Sequence, residues 1–357
     1  MTLQIAEYFH CPKCRGPLNS VGGAVGCSRC GRSYPIKDGV VCLLDGDVRT
    51  DYALAPRFSG INRRAAEIGW RSAILERDAS RDRQDEADNA NEYVISEARA
   101  DFRYLLPVDS RSTVLDIGSG WGSITTAFAR QADSVIAVDT NLDNLQFVTI
   151  RAQQEGLDNV VALQADAHSL PVRECTCDVA LMVGVLEWVA GGHATGSPFD
   201  LQKRALQRVH SALRPGGCLY LAIENRFSFK YWVGFKEPHT GLRFVSLLPY
   251  GLADRYSLLS RGSGYREITY SYPGLRTLLQ SVGFGEVRFY FPVPGYQNFR
   301  MLLNLEQRRT TFFALGRLRA HPRYKAVYRL AARATHLLPL APVRLLWPSF
   351  CVVATRA

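Results

Sequence analysis

The chain has 357 residues, 47% of them apolar, which suffices for a substantial core in one large domain with appendages or in two domains. No stretch of about eighteen uncharged apolar residues occurs, which argues against a spanning helix, and Met1–Glu7 lacks a charged-then-apolar leader layout. The formal charge of +10 belongs to the tail: beyond Glu306 there is no Asp or Glu, while ten Arg and Lys run from Arg308 to Arg356. A cytoplasmic protein with an acidic partner for its tail is the expectation.

The first element is set by cysteines. Cys11-Pro-Lys-Cys14 and Cys27-Ser-Arg-Cys30 form two C-x-x-C knuckles, and each knuckle folds two thiolates toward one point, as tetrahedral Zn²⁺ requires. A disulfide framework is the rival, disfavoured in a reducing compartment. Four thiolates would close the site, making the zinc structural, and a ribbon of about 45 residues needs such a staple. Cys42, Cys175, Cys177, Cys218 and Cys351 fall mostly in apolar runs and read as core. The segment from Cys27 to Leu44, with Gly31-Arg-Ser-Tyr-Pro-Ile-Lys-Asp-Gly39, resembles the Trm112-like zinc ribbon that accompanies several methyltransferases.

From Asp47 to Asn91 charges of both signs mix without a clear apolar stripe, which predicts a linker or a solvated helix. Val94, Ile95, Ala98, Phe102, Leu105 and Leu106 have a helical period closed by Pro107; such a helix would cover a site in the following core. Strands are then expected over 114–117, 134–138, 159–164, 177–183, 218–223, 287–291 and 350–355. Helices are expected at 141–154, 201–213 and 272–282. Two insertions interrupt the alternation, 225–270 and 292–348; the second joins two strands by far more than a hairpin of about 2–5 residues needs.

The run Asp116-Ile117-Gly118-Ser119-Gly120-Trp121-Gly122 follows a strand and opens a helix, so its glycines let a ligand approach bare backbone N–H groups. Asp139 closes the next strand, Asp166 the third, Val183-Gly184-Val185-Leu186-Glu187-Trp188 the fourth, and Leu213-Arg-Pro-Gly-Gly217 precedes the fifth. In this order the motifs resemble the class I S-adenosylmethionine-dependent methyltransferases (type 11-like) over roughly 110–225, and more weakly to 291. The spacing GxGxG also differs from the GxGxxG of dinucleotide binders. The resemblance implies an α/β, Rossmann-like fold: a mostly parallel seven-stranded sheet with its last strand antiparallel, plus the N-terminal ribbon and helical insertions. It divides the chain into the ribbon 1–46, a linker with cofactor-covering helices 47–109, the core 110–291 with its insertion 225–270, and a basic helical insertion with the final strand, 292–357.

It further implies S-adenosylmethionine held at its methionine end by Gly118, Ser119, Gly120 and Gly122, with Asp116 near the ammonium. Asp139 and Thr140 would take the ribose, Asp166 and Ala167 the adenine, and Val183 would lie beside the sulfonium. Many relatives carry His after the strand-four Glu, where this chain has Trp188, so His-based catalysis from that position is not expected. Methyl transfer needs alignment more than a nucleophile; where a base is needed, Glu187 and His239 are the candidates, with Glu224, His193 and Asp254 behind them.

Glu224, Asn225 and Arg226 leave strand five among Phe227, Phe229, Tyr231 and Trp232, a combination suited to a sugar or another planar polar acceptor. The expected acceptor is therefore a small, glycan-like or lipid-linked molecule methylated at O or N. The alternative is rRNA or tRNA gripped by ribbon and tail, although no Asn-Pro-Pro-Tyr motif follows strand four. Residues 308–347 alternate Arg with Phe, Leu and Tyr and would suit an anionic membrane surface, a peripheral place at the inner membrane face.

Overall fold

The computed structural model describes residues 5–44, 60–79, 93–193, 195–304 and 340–357; most of the basic segment 308–347 lies outside them. The strands are β1 (Leu18–Val21), β2 (Ala24–Cys27), β3 (Ser33–Lys37), β4 (Val40–Cys42), β5 (Thr113–Ile117), β6 (Ser134–Asp139), β7 (Val160–Gln164), β8 (Cys177–Val183), β9 (Leu213–Glu224), β10 (Phe284–Val293), β11 (Met301–Leu303) and β12 (Ser349–Arg356). They join in one sheet, ordered β1-β2-β3-β4-β7-β6-β5-β8-β9-β12-β10-β11. Within it, β7-β6-β5-β8-β9 run parallel, and β12 enters antiparallel between β9 and β10. That is the expected seven-stranded core. All five residues of β5 are buried, as a strand covered by helices on both faces must be.

The order reverses at β5, whose neighbours are β6 and β8. At such a switch point the loops leaving adjacent strands diverge and open a crevice at their carboxyl ends. Helices Ser123–Ala129 and Leu142–Gln154 follow β5 and β6. The second is capped by Asn141, whose side chain accepts the Asn144 N–H. Pro198–Ala212 and Tyr272–Val282 begin with Pro in the first turn behind Ser197 and Ser271 caps.

Four places differ from the sequence expectation. The Leu213–Gly217 turn belongs to β9: Leu213 pairs with Cys177, and the register slips before Val179 pairs with Cys218. This bulge admits Gly217 because a Cβ there would stand 2.8 Å from the Asp178 carbonyl. Of the helix expected over 92–106, residues 93–95 are α-helical and Glu97–Leu105 is a tighter 3₁₀ coil. Its tertiary anchors outweigh α propensity: Phe102 stacks on Tyr220 at 3.8 Å, and buried Arg99 donates to Tyr93 O, Ser123 Oγ and Gln297 O.

The third difference lies in the charged segment 47–91, expected as a linker or a solvated helix, where the helices Ile61–Ile68 and Trp70–Ala79 pack on the core. Their few apolar residues, Ile61, Ala65, Trp70, Ala73 and Ile74, cluster with Trp121 and Phe147. The Arg151 guanidinium lies 4.0 Å from the Trp70 ring centre, a cation–π contact sheltered from water. The fourth is the ribbon's attachment. β4 pairs in parallel with β7, Val41 opposite Leu163 and Cys42 opposite Gln164, so the ribbon continues the core sheet and covers its edge. Phe9 bridges to Val172, and the Arg173 N–H donates to Tyr8 O.

Candidate active site

A cavity of about 350 Å³ opens at the carboxyl ends of β5 to β8, within the usual range for small-molecule sites. It is lined by Gly118 and Gly120 after β5, Asp139 to Asn141 at the end of β6, Ala165 to Ala167 after β7, and Gly184 and Val185 after β8. Ile61, Tyr93, Trp121 and Trp188 also face it, so the segment before the core does contribute to the wall. Gly118 is required by space as well as angle: its φ is +70°, and a Cβ there would meet Val185 Cγ2 at 2.3 Å.

Asp139 accepts the Gly120 N–H at 3.0 Å on one oxygen and the Asn141 N–H at 2.9 Å on the other. Burial raises its carboxyl above the usual range while those N–H groups oppose the shift. Asp116 lies behind the wall, buried, accepting the Thr125 hydroxyl at 2.6 Å. Burial pushes its carboxyl up to about 6, against the Thr125 hydrogen bond and the Arg99 charge. Ser119, Gly122 and Val183 also stand behind the lining; buried Ser119 Oγ has no hydrogen-bond partner.

Asp166 faces the cavity but is shared with two histidines. His193 Nε2 is 2.7 Å from one oxygen, and the His168 N–H donates to the other at 3.0 Å. Burial would raise this carboxyl, yet the two rings hold it well below the ordinary range. Asp254 accepts the Tyr265 N–H inside the 225–270 insertion and takes no part in the cavity.

Beside Gly184 and Val185 a second polar group assembles. Glu187 in the turn after β8, Glu224 at the end of β9 and His239 in the insertion bring one ligating atom each to within 4.8 Å of one another. The Trp188 ring, which lines the cavity, meets His239 edge-on with centroids 4.9 Å apart. Burial would lower the imidazole, but the Glu187, Glu237 and Glu224 carboxylates packed around it favour its charged form, lifting it to about 11. Burial and the Glu187 charge raise Glu224 to about 7.

The residues around this group are only partly those expected. Asn225 donates to the Leu345 and Trp347 carbonyls and Arg226 to those of Ser246 and Leu248, so both tie backbone together and are not free to meet an acceptor. Trp232, Phe235 and Phe244 are exposed. Sequence reading missed Tyr296, whose hydroxyl donates to Glu224 Oε1 at 3.0 Å, and the role of Glu237. The Glu237-Pro-His239 spacing was the available signal for the latter; nothing local marks Tyr296.

In the ribbon, Cys11 Sγ lies 3.7 Å from Cys30 Sγ and Cys14 Sγ 3.5 Å from Cys27 Sγ, all four within 4.8 Å. Thiolates about 2.3 Å from one Zn²⁺ in a tetrahedron stand about 3.8 Å apart, so the donor set and its size fit.

Residues 115–221 match the family model for a methyltransferase domain. That stretch of the core is a methyltransferase domain. Residues 10–39 match the Trm112p-like family, placing a Trm112-like module on the edge of the methyltransferase sheet. An uncharacterised methyltransferase of Mycobacterium bovis is 32% identical over 130 residues, 36% of this chain and 46% of that protein. A ubiquinone biosynthesis O-methyltransferase of Rickettsia prowazekii is 29% identical over 143 residues, 40% of this chain and 50% of the relative. The chain thus spans about half the length of these curated relatives. A solved S-adenosylmethionine-dependent methyltransferase of Archaeoglobus fulgidus superposes with a TM-score of 0.41 at 18% identity, covering 74% of this chain and 97% of that one. No described helix is long and apolar enough to cross a membrane.

Proposed function

We propose that the chain transfers a methyl group from S-adenosylmethionine to a hydroxyl or amine of a small or lipid-linked acceptor. One observation carries the reading: the bare backbone at Gly118 and Gly120 and the carboxylates of Asp139 and Asp166 bound a single cavity. Asp139 suits ribose hydroxyls, the Asp166 side suits the adenine, and the glycine turn with buried Asp116 behind it suits the methionine end. When bound, the sulfonium supplies an electrophilic methyl carbon. Gly184 and Val185 line the cavity with Tyr93, Trp121 and Trp188, whose rings add apolar wall to it. An acceptor entering past Trp188 comes alongside Glu187, Glu224 and His239, and the proton it loses leaves toward that negatively charged group. Zinc on Cys11, Cys14, Cys27 and Cys30 belongs to the same proposal, in a purely structural role.

The test is binding followed by transfer. Calorimetry with S-adenosylhomocysteine should give a micromolar or tighter Kd, and its absence would overturn the reading. Methyl-labelled cofactor offered with separated pools of hydroxylated and aminated small molecules, lipid-linked saccharides and RNA should label one of the first two. Label confined to RNA would replace the acceptor class.

A further inference from the structure

The group beside Gly184 is built like a ligand set. Glu187 is fully buried, and neither of its carboxylate oxygens has a hydrogen-bond partner. Glu224 spends Oε1 on the Tyr296 hydroxyl and leaves Oε2 buried without a partner. His239 is fixed from behind: its Nδ1 is hydrogen-bonded to Glu237 Oε1, and Glu237 Oε2 in turn accepts from the His239 and Thr240 N–H groups and the Thr240 hydroxyl. With Nδ1 occupied, Nε2 faces the two open glutamates, 3.7 Å from Glu187 Oε1 and 3.7 Å from Glu224 Oε2. Those distances are too long for hydrogen bonds. Burying a carboxylate with no donor is costly, and a second beside it adds repulsion. Beside these three carboxylates stand the His239 ring and Lys230, whose ammonium feels the Glu224 charge.

We propose that Glu187, Glu224 and His239 form a divalent-cation site, with Glu237 as the positioning residue for the imidazole. The geometry suits it: His239 Nε2 stands 3.7 Å from an oxygen of each glutamate, and one ligand atom from each of the three residues lies within 4.8 Å of the others, a spread that one divalent cation can draw together. A carboxylate on the far nitrogen is the usual partner of a ligating histidine, and two oxygens with one nitrogen select borderline or hard cations such as Mn²⁺ or Mg²⁺. Its consequence for chemistry rests on the methyl-transfer reading: a hydroxyl coordinated here loses its proton more readily, which favours an O-methyl acceptor. The ion's binding does not depend on that reading.

The experiment is Mn²⁺ titration of the full chain, followed by the loss of the free-ion electron paramagnetic resonance signal. One Mn²⁺ per chain is expected, with Glu187→Gln and Glu224→Gln each weakening it at least ten-fold. His193→Ala, in the other histidine–carboxylate group, should leave it unchanged. Both Gln variants remove buried charge, so the metal-free proteins should melt at or above the wild-type temperature, and only wild type should gain from Mn²⁺; should one variant fail to fold, the other decides. Absence of binding at millimolar Mn²⁺, indifference to both Gln variants, or loss on His193→Ala would overturn the proposal. S-adenosylhomocysteine affinity measured on the same samples separates the two ideas. Cofactor binding without Mn²⁺ binding removes the metal site alone, and the converse removes the methyl-transfer reading alone.

Discussion

Gly118→Ala attacks the cavity at one atom. The new Cβ would sit 2.3 Å from Val185 Cγ2 and 3.2 Å from Cγ1, on a residue whose φ of +70° disfavours any side chain. The left-handed backbone costs about 1–2 kcal/mol for a non-glycine residue. Driving Val185 aside costs about 1–3 kcal/mol, the usual toll of overpacking. Together these predict a loss of about 2–5 kcal/mol in urea unfolding. They also predict at least a ten-fold loss in S-adenosylhomocysteine affinity by calorimetry, because Gly118 and Val185 both line the cavity. Val185→Ala removes the struck methyls, so it should cost less beside Gly118→Ala than alone, by the overlap share of about 1–3 kcal/mol; the backbone share should stay. Wild-type stability and affinity in Gly118→Ala, or strictly additive costs in the double variant, would refute the reasoning.

Asp139→Ala should weaken S-adenosylhomocysteine roughly ten-fold or more, since hydrogen bonds to a charged partner contribute about 1.5–3 kcal/mol; unchanged affinity in a folded variant removes the ribose assignment. Metal analysis should find one zinc per chain held by the ribbon, and Cys27→Ser should release it and loosen β4 from β7, seen as faster amide exchange at Val41 and Leu163; a ribbon that folds without metal contradicts this. Asp116→Asn should stabilise the ligand-free protein and weaken the cofactor. With its folded carboxyl near 6 against an ordinary 3.8, wild type keeps its full stability below about pH 4 and loses on the order of 3 kcal/mol as pH rises to about 6 and beyond. The gap to Asp116→Asn should therefore widen from pH 4 to 6 and then stay level; a gap that is constant with pH would mean Asp116 is not raised.

What could be read from the chain was what repeats locally or sits at fixed spacing. The apolar runs of β5, β6 and β8, the glycine turn after Asp116 and the two C-x-x-C knuckles each announce themselves within ten residues, because strand burial, left-handed turns and knuckle geometry are local constraints. A helix in the charged segment was open, but its packing at 61–79 was not legible, since its apolar stripe is thin and counts only once Trp121 and Phe147 are there to meet it. The tertiary structure alone decided that β4 extends the core sheet through β7, that Asn225 and Arg226 brace backbone, and that Tyr296 reaches Glu224 across 72 residues. It also brought His239 onto Glu187 and Glu224. Contacts between distant residues leave no periodicity behind them: they exist only where the sheet's order and the insertion's path bring separate strand ends to one point.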